Sequence, residues 1–420
     1  MNARTQTTVA GHHLHPGRLK LELMAKGLRA TTDVDTLGGT DAGLFGSSQD
    51  VDLVLPGGTW VSVPLQTGRL STSPYRLQGA DGEHWIVSDE QPDARIPVTV
   101  RPPSNLMNYV TKSGVPFRSF GTVHGPYMAL SPMDHCTFLN EGDRCGFCGI
   151  PPSDPDQSAV SVADVVEVVQ RARDEHPVSL VVLSVGHLAT EDGGVRSLEP
   201  YVAALKKHFD ILVAIDALPP SVDMWIDRTY GMGADAVSYN LELFDPERFR
   251  EVCPGVSREI GRDRFLDALS YAASVFPSGA TTCHLMVGLE PVESTQRGID
   301  ELTSRGVMPV LPIYRPFKGR DLRLDSIARG FAPSGDELGA LYAHLYRQVR
   351  RQGLNLHLVR DIAVVTTPAE ARFFDRPDGI LRRLEYELRG SRFGRQLSAQ
   401  FSDLRRALRV RPVPERTPSS

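Results

Sequence analysis

No stretch of this 420-residue chain approaches the roughly 20 consecutive apolar residues that span a bilayer, so no transmembrane helix is predicted. Residues 1–17 carry Arg4 and three histidines but no apolar run, so no secretory leader is expected there. Neither sign of charge dominates: a formal net charge of −5 gives no global pull toward nucleic acid or anionic membrane. Cysteine is scarce, with five residues in all, and without an export signal a disulfide framework is not expected. Free thiols without export imply a reducing cytoplasm.

What is present is ordinary for a soluble globular chain, at 41% hydrophobic and 23% charged residues. The length allows two or three domains, or one large domain with appendages. The expected division is a tail over 1–17, a β-rich accessory unit over 18–105, a (βα) core over 106–330, a helical extension over 331–411 and a tail over 412–420. In the first tail His12, His13 and His15 read either as a metal tract or as a solvated end.

Residues 18–30, with Leu19, Leu21, Leu23, Met24 and Leu28, predict a short helix. From Thr31 to Val100 Gly-Gly and Gly-Ser turns separate short alternating runs, such as Val51–Leu55, Trp60–Val63, Trp85–Val87 and Ile96–Val100. That pattern predicts a small β unit, either covering one end of the main domain or contributing to a substrate lid. Pro102-Pro103 marks a joint.

Beyond Gly121 strand and helix patterns alternate. Strands are expected at Tyr127–Leu130, Ser179–Val185, Ile211–Ile215, Ala236–Asn240, Thr281–Val287 and Val307–Ile313. Helices are expected at Ser161–Asp174, Leu198–His208, Ser221–Thr229, Arg262–Ser274 and Ser294–Ser304. Continuous apolar strands of this kind are buried on both faces of a parallel sheet. The expected fold class is α/β: a (βα)6-type barrel, partial or full and TIM-like, with the β-rich unit before it and helices after it. Such folds place their chemistry at the C-terminal ends of the strands.

At the end of the first of these strands lies Asp134-His135-Cys136-Thr137-Phe138-Leu139-Asn140-Glu141-Gly142-Asp143-Arg144-Cys145-Gly146-Phe147-Cys148-Gly149-Ile150, with three cysteines spaced C-x8-C-x2-C. Paired disulfides would leave one of the three unpaired. Cys136, Cys145, Cys148 and His135 could form a tetrahedral zinc site, although the second ligand pair common to zinc sites is missing. Three thiolates could instead hold a four-iron cluster with one iron open to a ligand. A reactive or inert cysteine cluster is the remaining reading.

The cysteine pattern, with the aromatic Phe147 just before the last cysteine, resembles the radical S-adenosylmethionine superfamily. The commonest first gap in that superfamily is three residues; here it is eight. Downstream features are similar to the biotin-synthase-like branch. The N-terminal stretch Gly38–Gly43, with Val61–Pro64 and Ser73-Pro74-Tyr75, resembles an uncharacterised group of that branch typical of nitrilase-containing gene clusters. The resemblance covers roughly residues 20–325.

The resemblance implies a [4Fe-4S] cluster held by Cys136, Cys145 and Cys148. It implies S-adenosylmethionine on the open iron, cleaved by one electron to a 5′-deoxyadenosyl radical that abstracts hydrogen. Phe147 would pack near the adenine. Asn240 and Glu242 would hold the ribose hydroxyls, with Glu in place of the branch's Asp, and Met286 and Gly288 would lie beside the purine. His187 joins the cofactor-binding set and, with Asp216, His284, Tyr314, Arg315 and Lys318, is a candidate for substrate contact. Arg315 and Lys318 favour a small anionic metabolite. Sulfur insertion of the biotin-synthase kind is not expected, because only Cys283 lies near a second-cluster position and it is one residue out of register. The expected partners are the small-molecule substrate and an external one-electron donor of flavodoxin or ferredoxin type, with no membrane. Oxygen sensitivity follows.

The tail of the chain adds Asp336–Arg351 as an amphipathic helix and Leu356–Val359 with Ile362–Val365 as a further strand. Residues 381–411 read as helix with many arginines. They could form a nucleic-acid face, but interleaved Glu385, Glu387 and Asp403 favour a solvated helix, and no nucleic-acid partner is expected.

Overall fold

Two sheets organise the chain, the first a closed ring and the second an open, mainly parallel array. The computed structural model describes residues 16–30, 50–55, 59–66, 73–101, 105–133, 135–150, 159–314, 322–356, 358–359, 362 and 364–375. Helix α1 (Pro16–Lys26) leads into β1 (Leu28–Ala30). There follow β2 (Asp50–Leu55), β3 (Thr59–Gln66), β4 (Tyr75–Ala80), β5 (Glu83–Ser88) and β6 (Gln91–Arg101). Their order is β1-β3-β2-β6-β5-β4, and β1 closes the ring by pairing in parallel with both β3 and β4. Side-chain alternation buries Val51, Leu53 and Leu55 of β2 inside the ring. Asp81 and Gly82, both with positive φ (52° and 82°), make the two-residue turn between β4 and β5.

The second sheet begins with the hairpin β7 (Gly121–His124) and β8 (Tyr127–Leu130). It continues through β9 (Leu180–Ser184), β10 (Leu212–Ala217), β11 (Ala236–Tyr239), β12 (Thr281–His284) and β13 (Met308–Val310), all parallel from β8 onward. Crossovers are made by α2 (Val162–Glu175), α3 (Glu199–His208), α4 (Met224–Gly231), α5 (Pro246–Val252), α6 (Pro254–Glu259), α7 (Arg262–Val275) and α8 (Val292–Ser304). Ser161 caps α2 by accepting the Asp164 N–H, and Asp245 caps α5 through the N–H groups of Glu247 and Arg248. Among the described residues the sheet does not close, so of the two expected forms the partial barrel is the one observed.

Along β9 and β10 Leu183 and Ile215 are fully buried, while Ser184 and Asp216 on the alternate face are half-buried. The period of two therefore turns polar side chains toward the concave side. β7 falls outside the expected strands, as do α5 and α6, whose starts sit at Asp245-Pro246 and Cys253-Pro254. Cys253 is buried at the junction of these two helices. The described residues between 356 and 365 form no strand, a second departure from expectation.

After β13 come α9 (Leu322–Phe331), α10 (Gly335–Arg351) and α11 (Pro368–Ala371). Helix α10 opens with a Ser334/Glu337 capping box and packs on α8, with Tyr342 Oη donating to Leu311 O at 2.6 Å. The N-terminal unit, α1 with the ring of β1–β6, touches both the β7–β8 hairpin and the last helices. At β7–β8, Trp60 lies against Gly125, where an added Cβ would fall 2.5 Å from the indole, and His124 Nδ1 bonds Asp52 Oδ1 at 3.0 Å. Buried Lys20 of α1 pairs with Glu370 of α11 at 3.0 Å. The Gly38–Gly43 stretch, the arginine-rich segment 381–411 and both expected tails except Pro16 and Gly17 lie outside the described residues. Among the described residues no helix is long and apolar enough to cross a membrane.

Candidate active site

The cysteine loop leaves the C-terminal end of β8, as a parallel strand order requires. Cys136, Cys145 and Cys148 are free and half-buried. Two tight turns shape the loop: Leu139 N–H donates to Cys136 O at 3.1 Å and Cys148 N–H to Cys145 O at 3.0 Å. Arg144 donates to the carbonyls of Cys148 and Ile150. Against Cys136 lies Gly186, where a Cβ would stand 2.3 Å from His135 O and 2.6 Å from Cys136 Cβ. Only a residue without a side chain fits there.

His187, one residue on, braces the loop. Its ring stacks on Phe138 at 4.9 Å, its Nδ1 bonds Thr137 Oγ1 at 2.8 Å, and its carbonyl accepts the Thr137 N–H at 2.8 Å. Burial pushes its pKa down, favouring the neutral ring.

The thiols are electrostatically coupled, since each charge raises the cost of the next. Burial pushes Cys136 and Cys148 up. Cys145 is held below its usual value, first by a hydrogen bond from Cys253. Sequence reasoning missed this fourth thiol, and its one signal was the Cys-Pro step that starts α6.

Across the concave face a polar network ties three strand ends together. Asn240 donates to Asp216 Oδ1 at 2.9 Å and accepts from Ser238 Oγ at 2.6 Å and the His284 N–H at 3.0 Å. Ser184 Oγ reaches Asp216 Oδ2 at 3.3 Å. Burial pushes Asp216 up to about 6 and His284 down to about 4. Asn240 is thus occupied mostly by its own neighbours.

Glu242 is different. Its backbone is left-handed at φ 67°, it bridges Leu285 in parallel, and its Oε2 is buried with no hydrogen-bond partner. Its pKa is pushed well up by burial first, then by the charges of Asp216 and Cys145. A non-glycine residue in this conformation with an unpaired buried oxygen is strained and unsatisfied, as at ligand sites.

Met286 N–H donates to Glu242 O at 2.6 Å, and Gly288 has φ 100°. Tyr314 is buried, with its hydroxyl on Asp325 Oδ1 at 3.0 Å. Phe147 packs partly buried against the core. Arg315 and Lys318 lie outside the described residues. Cys283 is fully buried on the helix side of β12 and pushed up to about 12 by burial.

Three free thiols around one loop fit an iron–sulfur cube, whose ligands bind separate irons. A single zinc is served less well: His135 is exposed, and among the described residues no three His, Cys, Asp or Glu side chains gather around one ion.

Residues 131–295 match the family described as the radical SAM superfamily, and the chain carries a domain of that superfamily there. Members of that superfamily are enzymes that use a [4Fe-4S] cluster and S-adenosylmethionine. It is 27% identical over 114 residues to the bacteriochlorophyllide c C-7(1)-hydroxylase of Chlorobaculum limnaeum, a match covering 27% of this chain and 28% of that relative. The matched region therefore spans little more than a quarter of the relative's length.

Solved structures that are similar include the [FeFe]-hydrogenase maturase HydG, at TM-score 0.43 and 13% identity over 57% of this chain and 55% of that one. HydG from Carboxydothermus hydrogenoformans gives TM-score 0.41 and 16% identity over 68% and 73%.

Proposed function

We propose that Cys136, Cys145 and Cys148 ligate the cluster and that Glu242 meets S-adenosylmethionine beside it. When bound, cluster and S-adenosylmethionine supply a one-electron reductive cleavage that delivers a 5′-deoxyadenosyl radical. The observation that carries the reading is the set of three half-buried free thiols on the loop after β8, electrostatically linked to Glu242 and its unpaired oxygen.

In this reading His187, Thr137 and Gly186 hold the loop in position. Glu242 takes the ribose hydroxyls through its unsatisfied Oε2, while Asn240 fixes the strand ends rather than binding ligand alone. Met286 and Gly288 offer backbone to the adenine, and Phe147 shields it. The substrate is a small metabolite reached from the concave face, where Asp216 and His284 present an acceptor and a neutral ring. Its anionic character rests on Arg315 and Lys318, and the electron comes from an external one-electron donor.

The test is anaerobic reconstitution with iron and sulfide. The protein is expected to turn brown and, when reduced, to release 5′-deoxyadenosine from S-adenosylmethionine. Cys145→Ala is expected to lose both. About one zinc per chain, with no iron or sulfide retained, would overturn the reading.

A further inference from the structure

The junction of α5 and α6 is built against the cysteine loop in register. Gly146 N–H donates to Val252 O at 2.9 Å, and Gly255 N–H donates to Asp143 O at 3.1 Å. These two bonds run in opposite senses between 143–146 and 252–255, so Cys253 is set opposite Cys145. Arg258 adds an ion pair to Asp143 at 2.7 Å. Gly255 permits the approach: a Cβ there would lie 2.7 Å from Asp143 O and 2.7 Å from Phe138 Cδ1. Cys253 itself is 2% exposed, and its N–H is fixed by Phe249 O at 2.9 Å.

The four thiols are not equivalent. Those of the loop are half-buried, whereas Cys253 is buried behind Cys145. A sulfur in that second row is placed to donate to a ligand rather than to be one.

Resting on the ligand assignment above, we propose that Cys253 is a positioning residue for the cluster, its S–H donating to the Cys145 sulfur and raising the cluster's reduction potential. Hydrogen bonds to ligand sulfurs stabilise the more negative, reduced state, and partners behind a first ligand tune a metal centre in this way. An apolar residue at 253 would fill the space without donating.

The experiment compares anaerobically reconstituted full-length wild type with Cys253→Val, Cys253→Ala and Cys253→Ser. The readouts are iron and sulfide content and a redox titration followed by electron paramagnetic resonance of the reduced cluster. Iron and sulfide are expected to match wild type in all three variants. The midpoint potential is expected to fall in the Val and Ala variants and to stay near wild type in the Ser variant, whose hydroxyl still donates. Should Cys253→Val fail to fold, the Ala and Ser variants carry the same comparison.

Equal potentials in wild type, Ala and Ser variants would overturn the proposal while leaving the cluster reading intact. Loss of iron in Cys253→Ser with retention in Cys145→Ala would also overturn it, by making Cys253 the ligand. A wild type that binds no iron or sulfide would sink the ligand assignment and this inference together.

Discussion

Asn240 Nδ2 stands 2.9 Å from Asp216 Oδ1, so the end of β11 is tied to the end of β10 through side chains. With its Oδ1 on Ser238 and the His284 N–H, one amide serves three neighbouring strands. Asn240→Ala is expected to cost about 1–3 kcal/mol for each buried group left unpaired. Urea unfolding, read as a lower midpoint at unchanged slope, checks it.

Glu290 is 1% exposed and accepts the Asp245 N–H at 2.7 Å and the Thr295 hydroxyl at 2.9 Å. Burial, the largest influence, pushes its pKa from 4.5 up to about 7. The folded state then binds more protons than the unfolded state between those values, so stability falls as pH rises from about 4.5 through 7. At about 1.4 kcal/mol per pH unit the loss is at most about 3–4 kcal/mol. Unfolding free energies measured across that window should slope downward in wild type and less so in Glu290→Gln.

Lys20 and Glu370 form a buried pair whose carboxylate also accepts from Thr367 at the start of α11. Lys20→Ala strands that charge and is expected to cost about 3–5 kcal/mol. The double variant Lys20→Met, Glu370→Leu should recover most of this, less about 1 kcal/mol for the lost cap. Thermal and chemical denaturation of the single and double variants decides.

Gly186 admits the main chain of His135 and the Cβ of Cys136 at distances no side chain tolerates. Gly186→Ala is expected to displace the cysteine loop, lowering iron uptake on reconstitution by severalfold while far-ultraviolet circular dichroism stays unchanged. Full iron content in that variant would show that the contact does not hold the loop.

Much of the sheet was legible because β8–β11 and β13 are largely apolar and recur at regular spacing, and Tyr127–Leu130 falls where its residues predict. β7 was not, since four residues with glycine and histidine carry no strand period and gain their pairing only from β8. Helices α5 and α6 are too short for a clear helical repeat, which hid Cys253. Within the site, the C-x8-C-x2-C spacing exposed the three thiols. Nothing local in Asn240-Leu241-Glu242 announces that Glu242 is left-handed with an unpaired oxygen, because that state is imposed by pairing with Leu285. The brace that His187 makes with Phe138 and Thr137 was likewise invisible in the sequence, because it joins residues some fifty positions apart.

The ring of β1–β6 fastens to the hairpin through Trp60 and Asp52, and α1, which packs on β3, fastens to the last helices through Lys20. A full barrel fixes its own girth by strand pairing; this one leaves that dimension to a neighbour's grip. The spread of the open sheet is therefore expected to answer to residues far from the cysteine loop. Substitutions at either fastening are expected to change how far that sheet opens while leaving every residue of the cysteine loop in place.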